Sequence, residues 1–152
     1  MASVVAGVDS STQSCTVELR DADTGALLGT GRAKHPPTTP PLSEQHTAAW
    51  WDAFREALAL ACADAGVSST AIAAISVAAQ CHGLVALDAA DREIRPVKLW
   101  NDTTSAPDVE RLLGERGQAS WVEEVLLPLN PALTIAKLAW LARNEPDNLA
   151  RV

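Results

Sequence analysis

Tyrosine is absent from this 152-residue sequence, and phenylalanine and methionine occur once each, so its aromatic surface comes almost entirely from five tryptophans. Cysteine is scarce. Cys15, Cys62 and Cys81 are odd in number and far apart, which leaves no metal-ligand spacing. Cys15 and Cys62 sit among apolar residues and read as small core side chains in a reducing, cytoplasmic compartment. No apolar run is long enough to span a bilayer. The first residues lack the basic flank and long apolar stretch of a secretory signal. Basic charge is also short: 12 Lys and Arg stand against 19 Asp and Glu, a net charge of −7. An acidic surface of that kind argues against nucleic acid and anionic membrane as partners. With 47% hydrophobic and 20% charged residues, the chain is ordinary globular material, long enough for one domain with a real core. It carries no internal repeat, low-complexity tract or charge block.

The stretch from Val4 to Leu19 reads strand, polar turn, strand. Val4, Val5, Ala6 and Val8 form a short apolar run suited to a strand buried on both faces. Asp9 stands where that run stops, followed by Ser10, Ser11, Thr12, Gln13 and Ser14. β character resumes at Cys15, Thr16, Val17 and Leu19. A hairpin tip with one carboxylate and several hydroxyls can cradle phosphate through backbone N–H groups and hydroxyls. Its carboxylate can hold Mg²⁺ through water, because Mg²⁺ dehydrates reluctantly. An ordinary polar turn fits the same residues, since Asp, Ser and Thr favour turns for local hydrogen-bonding reasons.

Asp21 to Gly25 is a turn. Ala26 to Ala33 is a third strand, weakened or bulged by Gly29 and Gly31, and completes an antiparallel meander. His35 to Ser43 is a proline-rich connector. Thr47 to Ala65 is a helix that Thr47 can cap, with Trp50, Trp51, Phe54, Leu58, Ala61 and Cys62 at helical spacing. Ala71 to Ala79 reads as the next buried strand and runs into Gln80-Cys81-His82-Gly83. Strands are expected over Leu84 to Asp88 and Ile94 to Trp100, with a turn at Asp91. Helices are expected over Asp108 to Arg116 and Ala132 to Asn144, with a short amphipathic piece over Trp121 to Leu127 between them. Lys137 reads as a snorkelling lysine ahead of the alternative, a buried partner. A last helix begins at Pro146.

Two features of this order carry chemistry. Ligands in open α/β sheets bind at the carboxyl ends of strands, which is where Gln80 and His82 fall; a structural histidine fits there too. Trp100, followed by Asn101 and Asp102, offers an aromatic plate beside polar groups, a combination suited to a sugar with apolar C–H faces and polar edges. Asp102 and the threonines after it are equally helix-capping types.

The ordered set Gly7-Val-Asp-Ser-Ser-Thr-Gln-Ser14, Leu42-Ser-Glu-Gln-His-Thr-Ala-Ala-Trp-Trp51, Ala79-Gln-Cys-His-Gly-Leu-Val-Ala-Leu-Asp88 and Leu99-Trp-Asn-Asp102 resembles the N-terminal part of the xylulokinases, within the FGGY carbohydrate kinases. Leu133 to Leu141 with Glu145-Pro146 extends the match over essentially the whole chain. The resemblance implies an α/β fold of the ribonuclease-H-like type (actin-like, hexokinase-like ATPases), here an incomplete N-terminal portion of the first lobe. It implies phosphorylation of D-xylulose on O5 by MgATP. By matching position, Asp9 would organise Mg²⁺ and the transferred phosphate, and Ser11, Thr12 and Ser14 would line the phosphate path. His82 would bond sugar hydroxyls, with Gln80, Cys81 and Gly83 shaping that wall. Trp100 would pack on the sugar and Asp102 would lie near its polar end.

The sequence departs from the family in places. Many relatives carry Gly-Thr at Ser11-Thr12, Lys at Thr16 and Met at Cys81. Glycerol kinases carry Arg-Glu at Cys81-His82, which disfavours glycerol. The resemblance also places the catalytic base and the second, ATP-holding lobe beyond Val152, so this chain by itself is expected to be inactive. A homodimer is expected only of a full-length enzyme. The alternatives are another FGGY kinase acting on ribulose, another ketose or a polyol, and a non-catalytic actin-like binding module.

Overall fold

Along the first strand Val4, Ala6 and Val8 alternate with Val5, Gly7 and Asp9. The computed structural model, which describes residues 3–152, turns that alternation into one buried and one open face. The expected burial on both faces is thus corrected to burial on one. Strands β1 (Val4–Ser10), β2 (Ser14–Asp21) and β3 (Leu27–Lys34) form the antiparallel meander. Then follow the two-residue strand β4 (Glu44–Gln45), helix α1 (Thr47–Ala65), a 3-10 turn over Ser69–Ala71 and strand β5 (Ile72–Ala79). Strand β6 (Val97–Lys98) and helices α2 (Ala106–Arg116), α3 (Gln118–Val125), α4 (Thr134–Asn144) and α5 (Pro146–Leu149) complete the chain. The main sheet has the order β3-β2-β1-β5, with β5 parallel to β1. A meander leading into a parallel strand is the expected opening of the ribonuclease-H-like architecture.

The chain divides into two units. One runs to Pro37 and resumes over Ala48–Gln80; the other comprises Thr38–Thr47 and Cys81–Val152. The core of the first unit is Val4, Ala6, Val8, Cys15, Val17, Leu19 and Ala33 on the sheet against Ala53, Ala57 and Ala61 on α1. The alanine stripe meets two sheet glycines. A Cβ on Gly29 would lie 2.5 Å from the Ala65 nitrogen, and one on Gly31 would lie 2.1 Å from the Ala57 oxygen. The strand does bulge here, since Leu19 faces Gly29 while Arg20 faces Leu27. The stronger reason for the glycines is that helix backbone rests directly on the strand.

β5 corrects a second expectation. It is an edge strand, and Ile75 and Val77, which stand beside Ala6 and Val8, are 50% and 64% exposed. Helix α1 packs on β1 to β3; at the start of β5 Ile72 joins that core partly buried, and residues 73–79 are exposed.

In the second unit the expected strands over Leu84 to Asp88 and Ile94 to Trp100 shrink. The ladder there is β4 with β6, joined by single bridges Leu84–Lys98 and Leu87–Glu93. The segment is too rich in turns to ladder further: Asp88 accepts from the N–H groups of Ala90 and Arg92, and Asp91 is left-handed with φ 57°. Val109, Leu129 and Ala136 form a small core with Leu112, Leu113, Trp121 and Leu133. Asp108 of α2 and Arg143 of α4 join by paired bonds of 2.8 and 2.9 Å. No helix among the described residues is long and apolar enough to cross a membrane.

Candidate functional site

The first unit carries the Asp9 turn. Asp9 ends the open face of β1 between Thr16 of β2 and Ala78 of β5. Its exposed carboxylate opens on a shallow groove of about 380 Å³ lined by Gly7, Val8, Thr16, Glu18, Ser76 and Ala78. Alternation puts all but Val8 on one face, so Thr16, Glu18 and Ser76 were recoverable from strand period two once the pairing was known. Glu18 is tied to Arg20 at 2.8 Å.

The turn itself is closed by the N–H of Ser11, at 3.0 Å from the Ser14 carbonyl, and by the Ser11 hydroxyl at 3.3 Å. Ser14 is buried, and its hydroxyl accepts from Arg32 Nε at 3.0 Å. Thr12 lies beside Gln80, its hydroxyl 3.5 Å from Oε1, and the Gln80 N–H donates to the Ser10 carbonyl. His35, buried at 4% exposure, supports the turn from below. Its N–H donates to the Gln13 carbonyl at 2.9 Å, and its Nε2 lies 3.3 Å from the Ser10 hydroxyl. Burial pushes the His35 pKa down. The structure therefore brings Asp9, Ser11, Thr12 and Gln80 to one strand end and turns Ser14 inward.

The donor set of the groove is oxygen only: the Asp9 and Glu18 carboxylates and the hydroxyls of Thr16 and Ser76. That is a hard set, too sparse to strip a cation of its water, and it fits Mg²⁺ held largely by water. No group of three or more His, Cys, Asp or Glu side chains able to cage a metal occurs among the described residues.

The second unit carries Cys81, His82, Gly83, Trp100 and Asp102, the residues expected to face a sugar. Cys81 and His82 are exposed, and Gly83 is half-buried. His82 is left-handed, with φ 61°. The Leu84 N–H donates to the Lys98 carbonyl at 3.0 Å, and the Leu84–Lys98 bridge is antiparallel. His82 and Trp100 leave that bridge at the same end, two residues out along each segment, where the backbone has already turned out of strand conformation. Trp100 is 47% exposed.

Asp102 is different. It is fully buried, and Oδ2 accepts from the Ser43 N–H at 2.9 Å. Its Oδ1 accepts from the Thr104 N–H and hydroxyl at 3.0 and 2.6 Å and lies 3.1 Å from Lys98 Nζ. Burial pushes its carboxyl up, but these bonds and the ammonium outweigh it and hold the group below the usual carboxylate range. Asp102 thus fastens the segment that presents Trp100.

Beneath that segment lies a charged layer which residue-by-residue reading missed. Lys98 is fully buried, 3.1 Å from Glu44 and 3.9 Å above the Trp140 ring. Arg95 joins Glu44 at 2.6 Å and Glu145 at 2.9 Å. The snorkelling expected of Lys137 is also overturned: the side chain is fully buried. Its Nζ donates to the His82 carbonyl at 2.8 Å and to the Ala132 carbonyl. Burial pushes its pKa down to about 8, against the pull of Asp102.

Residues 4–152 match the FGGY family of carbohydrate kinases, N-terminal domain. A xylulose kinase of Streptomyces coelicolor is 41% identical over 145 residues, covering 95% of this chain and 29% of the relative. A xylulose kinase of an Arthrobacter species is 52% identical over 103 residues, covering 68% of this chain and 98% of that sequence. The crystal structure of xylulose kinase from Bifidobacterium adolescentis superimposes with a TM-score of 0.87 at 37% identity, covering 99% of this chain and 31% of that one. The chain thus spans less than a third of the length of the Streptomyces and Bifidobacterium proteins. Matched over nearly its whole length, with the ribonuclease-H-like sheet order in place, the chain belongs to the FGGY family of carbohydrate kinases.

Proposed function

We propose that this chain is the first part of the N-terminal domain of a cytoplasmic, ATP-dependent kinase that converts D-xylulose to D-xylulose 5-phosphate. The observation that carries the reading is that an exposed histidine, His82, and an exposed tryptophan, Trp100, each lie two residues beyond the antiparallel Leu84–Lys98 bridge and at the same end of it. An imidazole can bond sugar hydroxyls while the indole covers the C–H face of the same molecule. In this reading Cys81 and Gly83 shape the wall around His82, Gln80 supports the Asp9 turn beside Thr12, and Asp102 serves by holding Trp100 in place. Asp9 holds Mg²⁺ through water, with the Ser11 and Thr12 hydroxyls along the phosphate path. Ser14 acts from behind the turn through Arg32. MgATP supplies the phosphoryl group and neutralises its charge, and positioning is the protein's main contribution to such a transfer. No residue of this chain is assigned as the base for the sugar hydroxyl, so the 152-residue chain alone is expected to show no turnover.

The test is a chimaera in which this chain replaces the matching N-terminal segment of the Streptomyces coelicolor relative. D-Xylulose turnover with ATP is expected. His82→Ala should then lower kcat/KM at least about 100-fold, the scale at which a lost buried polar partner discriminates. Preference for ribulose, gluconate or glycerol would assign a different FGGY substrate. Indifference to His82→Ala would point to a non-catalytic module.

A further inference from the structure

Lys137 sits in α4 between Ala136 and Leu141, at a position where an apolar side chain would fill the same space. It is nonetheless an ammonium with no exposure to solvent. A buried charge is costly and persists only where polar partners compensate it. Its hydrogen-bond partners are two backbone carbonyls, of Ala132 at the entry to its own helix and of His82 across the unit.

The second of these is unusual. His82 is a non-glycine residue at φ 61°, a conformation that survives only when its surroundings over-determine it. Lys137 fixes the carbonyl of that residue at 2.8 Å. On the far side of Gly83, the Leu84 N–H is fixed at 3.0 Å by the Lys98 carbonyl. A Cβ added to Gly83 would meet Val97 Cγ1 at 3.3 Å, so the peptide between these two bonds has little room to turn. The direction of the imidazole follows from the backbone so held.

We propose that Lys137 is a positioning residue of the sugar site: by donating to the His82 carbonyl it locks the left-handed turn that aims the His82 imidazole. The sugar part of this statement rests on the function proposed above; the backbone part stands without it. Lys137 acts through His82 and touches no substrate.

The test uses the isotopically labelled chain in solution, unmodified and as Lys137→Met, which keeps the apolar stem and removes the ammonium. In the unmodified chain the Lys137 ammonium should give a slowly exchanging NMR signal. His82 should show the carbon shifts and the amide-to-α coupling of a left-handed residue. In Lys137→Met the amide spectrum outside the turn should stay in place, while His82 and Gly83 shift or broaden. Titration with D-xylulose, followed at the His82 imidazole, should weaken at least tenfold. A variant that keeps the left-handed signature and the same xylulose response overturns the proposal. If the variant does not fold, the unmodified chain decides: an ammonium exchanging as fast as a surface lysine overturns the proposal, and a protected one upholds it. Should the unmodified chain ignore D-xylulose, the substrate reading fails, and the His82 signature alone judges Lys137.

Discussion

His82 carries its imidazole on left-handed backbone, so function and stability pull apart at this residue. Relief of the αL clash (about 1–2 kcal/mol) less the extra chain entropy of glycine (about 0.5–1 kcal/mol) predicts that His82→Gly is stabilised by roughly 0.5–1 kcal/mol. Urea denaturation measures the gain, and the same variant should lose the sugar response. Asp102 shows the opposite balance. Asp102→Asn leaves Lys98 without its fully buried partner and should cost about 3 kcal/mol, the scale for breaking a buried pair. Its folded pKa lies below the unfolded one, so its stabilisation is complete above the unfolded value of about 4 and is lost as pH falls through the folded value. Acid unfolding followed by circular dichroism should therefore be steeper for the parent chain than for Asp102→Asn. A parallel pair of acid limbs would show that the carboxylate is not held as described.

Among the elements, the contact of α1 with β3 has the least tolerance. The small side chains of Ala53, Ala57 and Ala61 let the helix backbone approach Gly29 and Gly31 directly. A methyl at Gly31 would have to displace helix backbone, because its nearest neighbours are the Ala57 oxygen at 2.1 Å and the Ala61 nitrogen at 2.5 Å. Gly31→Ala is expected to cost about 3 kcal/mol, the upper range for overpacking. An unchanged urea midpoint would mean that the helix stands further off. The consequence reaches the candidate site, since β2 and β3 carry Ser14 and Arg32, whose bond anchors the Asp9 turn from inside.

At the scale of the whole molecule the exposed edge of the sheet dominates. β5 shows unpaired backbone together with Ile75 and Val77, and an uncovered apolar edge strand is a template for pairing with other chains. The chain is therefore expected to self-associate as its concentration rises. Val77→Lys should suppress this, as read by light scattering, with little loss of stability because the side chain already faces solvent. Association that is unaffected by the substitution would locate the sticky surface elsewhere.

Local chemistry was enough to read most of the elements. Helix α1 was expected over the residues it occupies, because helical spacing and a glycine stop act within a few residues. The meander and the Asp9 turn were legible for the same reason. The burial of β5 was not, since a run such as Ile-Ala-Ala-Ile-Ser-Val reads alike on an edge or in the middle of a sheet. The strands after Gly83 failed because turn bonds at Asp88 outcompeted the ladder. Residue type favours a snorkelling Lys137 over a buried one because one of its two compensating carbonyls, that of His82, is distant in the chain, and spacing along one helix cannot reveal an acceptor on another segment. Residue type and period thus established which groups are present and on which elements. Long-range packing established which of them are buried, and buried polar groups draw their roles from partners that only folding supplies.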